Sequence, residues 1–177
     1  SNTICAGACT GLGIAPGNIG RVIGVFKAYC TRVGSGPFPT ELFDKTGNRM
    51  QDVGHEFGAT TGRPRRCGWL DLPALKYAVM INGATELIIT KADVLSNFDL
   101  IKVCTHYQTD GGVIDYLPFE QDGKLDPVYK EFPAWTTDLS TLKEQEDLPL
   151  ELINYVNYIE KALGIPITMI SVGPDRK

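Results

Sequence analysis

The sequence predicts an α/β fold in which helices flank a mostly parallel sheet and an antiparallel hairpin region is added to it. Two helix-to-strand transitions predict the parallel part. Residues 72–82 carry apolar side chains at helical spacing, and the apolar, β-branched segment 86–90 follows. Residues 148–163 form an amphipathic helical pattern, and a second apolar segment, residues 165–171, comes directly after it. Helices that alternate with strands are typical of parallel sheets.

The first third of the chain gives weaker signals. Residues 18–23 are predicted to begin a helix after Pro16-Gly17, and residues 24–31 are strand-like in composition. Residues 32–40 are rich in glycine and proline and therefore predict a loop. Residues 49–57 are predicted to form a short helix.

The hairpin is predicted in the second half. Residues 102–107 and 113–116 flank the turn sequence Asp110-Gly111-Gly112, which is typical of two antiparallel strands. The acidic and polar residues 138–147 are predicted to form a solvated loop.

Length and composition predict a globular piece, with residues 1–177 belonging to a single domain. Of its residues 43% are hydrophobic and 21% charged, which is ordinary for a soluble domain. The net charge of −4 gives no general affinity for nucleic acid, and no apolar run is long enough to span a membrane. Five scattered cysteines favour a reducing, cytoplasmic location over a disulfide framework. His55 is expected to pack on or cap a helix and His106 to lie on a strand; neither is assigned a catalytic role.

Cationic side chains are concentrated in one loop, residues 58–69, with the sequence GATTGRPRRCGW. Gly62 can adopt backbone angles closed to other residues, and the two preceding threonines add hydroxyl groups that donate and accept. Arg63 and Arg65 offer planar guanidinium groups suited to carboxylate or phosphate. The alternative is a solvated basic turn. If Arg63 and Arg65 bind substrates, we expect the loss of either to lower activity and leave the fold intact, and the loss of Arg66 to have a milder effect on activity.

A carboxylate follows the predicted strand 86–90, within the sequence Thr90-Lys91-Ala92-Asp93. Such a carboxylate can accept two parallel hydrogen bonds from N1–H and the exocyclic amine of guanine, whereas adenine offers no such pair of donors. The aliphatic stem of Lys91 could lie along the ring. The alternative is a capped turn in which Asp93 accepts bonds from nearby backbone N–H groups.

The second apolar segment ends at residues 171–173. Ligands bind beyond the carboxyl ends of strands in α/β folds. Ser171, Val172 and Gly173 would therefore lie beside Lys91 and Asp93 if the two strands are neighbours. The alternative is an ordinary Gly-Pro turn.

Residues 29–42 and 58–71 resemble characteristic motifs of the adenylosuccinate synthetases, and the resemblance covers essentially the whole chain. That family joins IMP to L-aspartate at the expense of GTP in AMP biosynthesis. The resemblance implies a fold related to the P-loop NTPases, a ligase activity, Mg²⁺ as cofactor with GTP as co-substrate, and a cytoplasmic homodimer.

The resemblance also implies roles for individual residues. The residue matching Val33 contacts the ribose of IMP, the one matching Arg63 contacts IMP, and the one matching Arg65 contacts the GTP side of the site. The loop that closes over aspartate matches Ala59, Thr60, Thr61, Gly62, Arg63, Pro64 and Arg65. The guanine-binding positions match Lys91, Ala92, Asp93, Ser171, Val172 and Gly173.

The family's phosphate-binding loop, catalytic aspartate and histidine, and Mg²⁺ ligands match nothing in this sequence, which has no glycine-rich loop followed by Lys-Ser or Lys-Thr. The chain is therefore expected to be a C-terminal fragment with no catalytic or metal-binding residue of its own, and to be inactive alone. Two rivals remain. A non-catalytic guanine-nucleotide-binding module would explain residues 90–93 but not the loop 59–65. An ordinary P-loop GTPase is disfavoured by the missing phosphate loop.

Overall fold

The computed structural model describes residues 3–121, 123–142 and 145–173, and these form a mixed α/β structure. The helices and strands, in chain order, are α1 (Ala6–Leu12), β1 (Ile23–Lys27), β2 (Cys30–Arg32), α2 (Lys45–Val53), β3 (Arg66–Gly68), β4 (Leu70–Asp71), α3 (Leu72–Asn82), β5 (Glu86–Thr90), β6 (Leu100–Thr109), β7 (Gly112–Ile114), β8 (Asp126–Pro133), α4 (Leu150–Leu163) and β9 (Ile167–Ile170). None of the described helices is long and apolar enough to cross a membrane.

The predicted parallel sheet consists of β1, β5 and β9, in that order. Val25 pairs with Ile88, which pairs in turn with Met169. Strand β5 has the predicted bounds and is largely buried at the centre of the sheet. Strand β9 is shorter than predicted, and Met169 is 62% exposed. The prediction of a buried strand was wrong there because β9 lies at the edge of the sheet.

The predicted hairpin is confirmed within a second sheet. Strand β6 pairs antiparallel with β7 across the turn at Asp110-Gly111, and parallel with β4. It also pairs antiparallel with β8 along most of its length. The sequence analysis did not predict β8. His106 lies on β6 as expected, and its ring contacts the hydroxyl of Thr105 at 2.7 Å.

Two helix predictions are confirmed by their end signals. Helix α3 has the predicted bounds: the Asp71 carboxylate accepts a bond from the Ala74 N–H at 3.1 Å, and Gly83 ends the helix in the left-handed conformation. Helix α4 buries one face, as its spacing predicted, and Gly164 ends it in the same way. The residues buried on that face are Leu152, Tyr155, Val156 and Ile159.

The first two helix predictions need correction. Residues 18–23 form no helix: a 3-10 turn at Pro16–Asn18 leads into extended backbone, and Val22 exchanges hydrogen bonds with Thr85. Pairing with the start of β5 therefore overrides the weak helical signal. Helix α2 begins earlier than predicted because the Asp44 carboxylate accepts bonds from the Thr46 and Gly47 N–H groups. It ends before Gly54, and the exposed His55 caps this end, as one of the two expectations had it: its φ of 49° is left-handed, and its N–H donates to the Asp52 carbonyl at 3.2 Å.

Residues 138–147, predicted as a solvated loop, contain one core residue. Leu139 is 1% exposed and belongs to the 3-10 turn Leu139–Thr141, which Asp138 caps. The apolar leucine supplies the core contact, while Ser140 and Thr141 stay at the surface. Residues 143 and 144 lie outside the described ranges.

Two aromatic residues connect the core to the turns after β1 and β5. The Tyr155 hydroxyl donates to the Ala28 carbonyl at 2.7 Å, and Trp135 Nε1 donates to the Ala92 carbonyl at 3.1 Å. Both side chains are fully buried. Because buried polar groups are costly to leave unpaired, these bonds fix the backbone where the two strands end.

A stability prediction follows from Gly68, where β3 packs against residues 40–42. A methyl group at position 68 would overlap the carbonyl oxygen of Thr40. Backbone atoms cannot move aside as a flexible side chain can, so we expect Gly68→Ala to lower the free energy of unfolding by about 1–3 kcal/mol. Urea unfolding checks this. Gly20→Ala is the control because no atom lies within 4 Å of its added methyl group, and equal midpoints for the two variants would contradict the prediction.

Candidate functional site

The candidate site lies at the carboxyl edge of the parallel sheet. Lys27 ends β1, Lys91 follows β5, and Ser171 follows β9. The Ser171 N–H donates to the Ile89 carbonyl at 2.8 Å, so the chain leaves β9 beside the end of β5. The two strands are neighbours, which was the condition for bringing residues 171–173 close to Lys91 and Asp93. In open α/β sheets this edge is where ligands bind.

Asp93 faces an open cleft of about 460 Å³, which Val172 and Gly173 also line. The carboxylate is half-buried and accepts no hydrogen bond from any residue the structure describes. The local bond in this turn is made by its backbone carbonyl, which accepts from the Ser96 N–H at 3.1 Å. Within the described ranges the capped-turn alternative is therefore wrong, because no backbone N–H there donates to this carboxylate.

Lys91 turns the chain between β5 and this cleft. Its φ of 58° is left-handed, which is uncommon for a residue with a side chain. The ammonium group donates to the Gly54 carbonyl at 2.5 Å and lies 3.3 Å from a carboxylate oxygen of Glu56. Lys91 therefore connects the end of β5 to the segment that precedes the arginine loop. Ala92 is fully buried beneath it.

The arginine loop is a closed turn that projects into solvent. Phe57 and Pro64 form a β-bridge, and Gly58 exchanges backbone hydrogen bonds with Arg63 and Gly62 at 2.8 Å. Gly62 has the predicted left-handed conformation, with φ of 63°. The exposed residues of the loop are Ala59, Thr60, Thr61, Gly62, Arg63 and Pro64. The Arg63 guanidinium makes no hydrogen bond or ion pair with any residue in the described part of the chain.

Arg65 differs from Arg63 because it is paired inside the protein. Its guanidinium donates to the Glu56 carboxylate at 2.7 Å, and its N–H donates to the Glu56 carbonyl at 2.8 Å. Glu56 is completely buried and also accepts from the Tyr29 hydroxyl at 2.6 Å and the Lys27 ammonium at 2.8 Å. The sequence analysis singled out neither Glu56 nor Lys27. No motif marks them, because they meet only through the fold.

The Glu56 cluster is strongly cationic. Burial by itself would raise the pKa of Glu56, but hydrogen bonds from Lys27, Tyr29 and Arg65 outweigh it and lower the pKa to about 2. The carboxylate is thus ionised at neutral pH. Three cations surround this one anion, so the cluster keeps two positive charges, as a site for phosphate or carboxylate groups would require.

Val33 lies next to the arginine loop. It follows β2, which pairs with β3 so that Arg32 is opposite Arg66, and its side chain is 75% exposed. Arg66 holds the loop after Val33: its guanidinium donates to the Gly34 and Gly36 carbonyls at 3.0 and 2.9 Å and to both carboxylate oxygens of Glu41. Two groups of predicted site residues are thus placed by the structure: Asp93, Val172 and Gly173 line one cleft, and Val33 follows the strand that pairs with β3 at the end of the arginine loop.

The fold and the site together define an α/β protein with a cationic cluster at the carboxyl edge of its parallel sheet, and the comparisons identify the family. The family model for adenylosuccinate synthetase matches residues 1–177. The adenylosuccinate synthetase of Christiangramia forsetii is 61% identical over 178 residues, and that of Bacteroides thetaiotaomicron is 58% identical over 176. A solved structure of fully ligated adenylosuccinate synthetase from Plasmodium falciparum is 43% identical, with a TM-score of 0.95. The chain belongs to the adenylosuccinate synthetase family.

These matches cover nearly all of this chain but less than half of each relative. The chain spans about 42% of the length of the two bacterial relatives, matching 100% and 99% of its own length. It covers 43% of the Plasmodium falciparum chain, with all of its own residues aligned.

The contacts of the arginines change the expectation for their removal. Arg66 and Arg65 each pair with a carboxylate that is at most 10% exposed, whereas Arg63 is free. We expect Arg66→Ala and Arg65→Ala to lower the free energy of unfolding by about 1–3 kcal/mol, since each leaves a buried acceptor short of a donor. Arg63→Ala should change it by less than about 0.5 kcal/mol.

Thermal unfolding of the three variants checks this. Equal melting temperatures for Arg63→Ala and Arg66→Ala would contradict the bracing role assigned to Arg66. The earlier expectation that removing Arg65 leaves the fold intact is replaced, because that guanidinium neutralises a buried charge.

Proposed function

We propose that the chain is the C-terminal portion of a synthetase that joins IMP and L-aspartate to adenylosuccinate with GTP, a ligase of AMP biosynthesis. The observation that carries this proposal is the free carboxylate of Asp93, which faces a cleft at the carboxyl edge of the sheet in a member of this family. We further propose that the enzyme acts in the cytoplasm as a homodimer.

Guanine would bind in the cleft. The Asp93 carboxylate would accept bonds from N1–H and the exocyclic amine, a pair of donors that adenine lacks. Val172 and Gly173 line the same cleft, and Ser171 holds their turn through a bond from its hydroxyl to the Gly173 carbonyl at 3.3 Å. Lys91 and Ala92 set the position of Asp93 at the end of β5.

The exposed loop, residues 59–65, would hold L-aspartate. Its backbone N–H groups, threonine hydroxyls and guanidinium groups are donors, which suits a substrate with two carboxylates. The free Arg63 would contact IMP, while Arg65, fixed by Glu56, would contact GTP. Val33, exposed beside the loop, would lie against the ribose of IMP.

In the proposed reaction GTP phosphorylates the 6-oxygen of IMP, and the amine of aspartate then displaces the phosphate. Fixed donors that meet developing negative charge favour such a transfer. Closure of the exposed loop over aspartate would keep water from the phosphorylated intermediate. No group of three His, Cys, Asp or Glu side chains in the described ranges is arranged to hold a metal ion. The described residues therefore do not form a complete Mg²⁺ site by themselves.

The base specificity tests the guanine site. In the full-length enzyme, Asp93→Asn would place an amide donor against a donor of guanine. We expect the affinity for GTP to fall by about 2–3 kcal/mol, a factor of roughly 30–150, while xanthosine triphosphate gains because it presents a carbonyl there.

The measurement is KM for both nucleotides. Asp99→Asn is the control, since Asp99 is exposed, lies outside the cleft and is only six residues away. Unchanged use of GTP by Asp93→Asn would show that Asp93 does not read the base.

The chain alone provides a second test. We expect the 177 residues, incubated with IMP, aspartate, GTP and Mg²⁺, to form no adenylosuccinate, because they contain no glycine-rich loop followed by Lys-Ser or Lys-Thr. The absorbance of adenylosuccinate measures product formation. Any product would refute the proposal that this chain carries only part of the active site. Activity that does not depend on IMP would favour a guanine-nucleotide module.

A further inference from the structure

We propose that Glu56 is a positioning residue that holds Arg65 and Lys91 in a fixed relation and so couples the substrate loop to the guanine-binding strand end. This inference rests on the proposed function. Glu56 itself is completely buried and cannot contact a substrate. Its effect would pass through the cations that it holds.

The two carboxylate oxygens of Glu56 contact different parts of the site. Oε2 accepts from Arg65 at 2.7 Å, at the end of the substrate loop. Oε1 lies 2.8 Å from the Lys27 ammonium and 3.3 Å from that of Lys91, at the ends of β1 and β5. The Tyr29 hydroxyl also donates to Oε1 at 2.6 Å, which fixes the orientation of the carboxylate. One side chain thus spans from the loop to two strand ends.

The three cations are partly exposed, so they can do more than neutralise the buried carboxylate of Glu56. The side chains of Arg65, Lys91 and Lys27 are 30%, 35% and 26% exposed. Each therefore faces Glu56 on one side and solvent at the sheet edge on the other. Neutralising one carboxylate requires one cation, and three are present. The two remaining charges are held where anionic substrates would gather, and without Glu56 the three cations would repel one another.

The low pKa of Glu56 agrees with this geometry. Hydrogen bonds from Lys27, Tyr29 and Arg65 overcome the effect of burial, so the carboxylate stays charged throughout the neutral range. Glutamine at this position would keep the shape of the side chain, but its amide nitrogen would be a donor facing donors.

The test is a double-mutant cycle in the full-length enzyme, with kcat/KM for GTP as the readout. We expect Glu56→Gln to lower kcat/KM at least tenfold. If Glu56 acts through Arg65, the loss in Glu56→Gln/Arg65→Ala should be at least fivefold smaller than the product of the two single losses. Losses that multiply would overturn the proposal, because they would show that Glu56 does not act through Arg65.

Glu56→Asp provides a second arm if Glu56→Gln does not fold. Aspartate keeps the charge but is one methylene shorter, so it cannot reach Arg65 and the two lysines together. If Glu56 only neutralised the cations, aspartate would do so equally well and the variant would be fully active. Full activity of Glu56→Asp would therefore overturn the proposal. We expect at least a fivefold loss and the same non-multiplicative behaviour with Arg65→Ala.

Glu86→Gln is the matched control. Glu86 is also a nearly buried glutamate paired with an arginine, Arg21, through two bonds of 2.6 Å, but it begins β5 at the opposite end of the strand. We expect its kcat/KM to stay within twofold of the parent and its loss to multiply with that of Arg65→Ala. A parent enzyme that forms no adenylosuccinate would instead refute the proposed function, so the two failures are distinguishable.

Discussion

The ionised carboxylate of Glu56 is the constraint around which the functional edge of this protein is organised. It lies in the interior and receives donors from the end of β1, the turn after it, the residue after β5 and the base of the arginine loop. A buried charge is costly unless it is paired and hydrogen-bonded, so these four segments are held to one relative arrangement. The positive charge left over lies at the edge of the sheet, where it can attract phosphate and carboxylate groups.

The hydrophobic core also holds the carboxyl edge of the parallel sheet. Helix α4 places Tyr155 beneath the turn after β1, and the segment after β8 places Trp135 beneath the 3-10 turn after β5. The core and the polar cluster therefore both hold the ends of β1 and β5. The arginine loop differs because residues 59–64 are exposed and make mainly local backbone bonds. That contrast suits a loop that moves while the strand ends stay fixed.

The sequence predicted elements best where local chemistry and packing agree. The bounds of α3 and β5 were correct because a helix with a clear stop leads into a β-branched segment that fills the centre of a sheet. The prediction of a helix at residues 18–23 was wrong because backbone pairing with the start of β5 outweighs their weak helical propensity. Strand β8 was missed because its pairing with β6 is a long-range contact, and strand formation depends more on such neighbours than on intrinsic propensity.

What the sequence determined by itself is the set of candidate site groups: the arginine loop, Asp93 after β5, and the turn after β9. Their chemistry is local, and their motifs place the chain in its family. The tertiary structure alone decided how these groups differ. It left the side chains of Arg63 and Asp93 without a hydrogen-bond partner among the described residues, bound Arg65 and Lys91 to Glu56, and gave Arg66 a bracing role on the loop after Val33. The reason is that Glu56 acquires its importance from burial and from partners up to 35 residues away, which no pattern of neighbouring residues records.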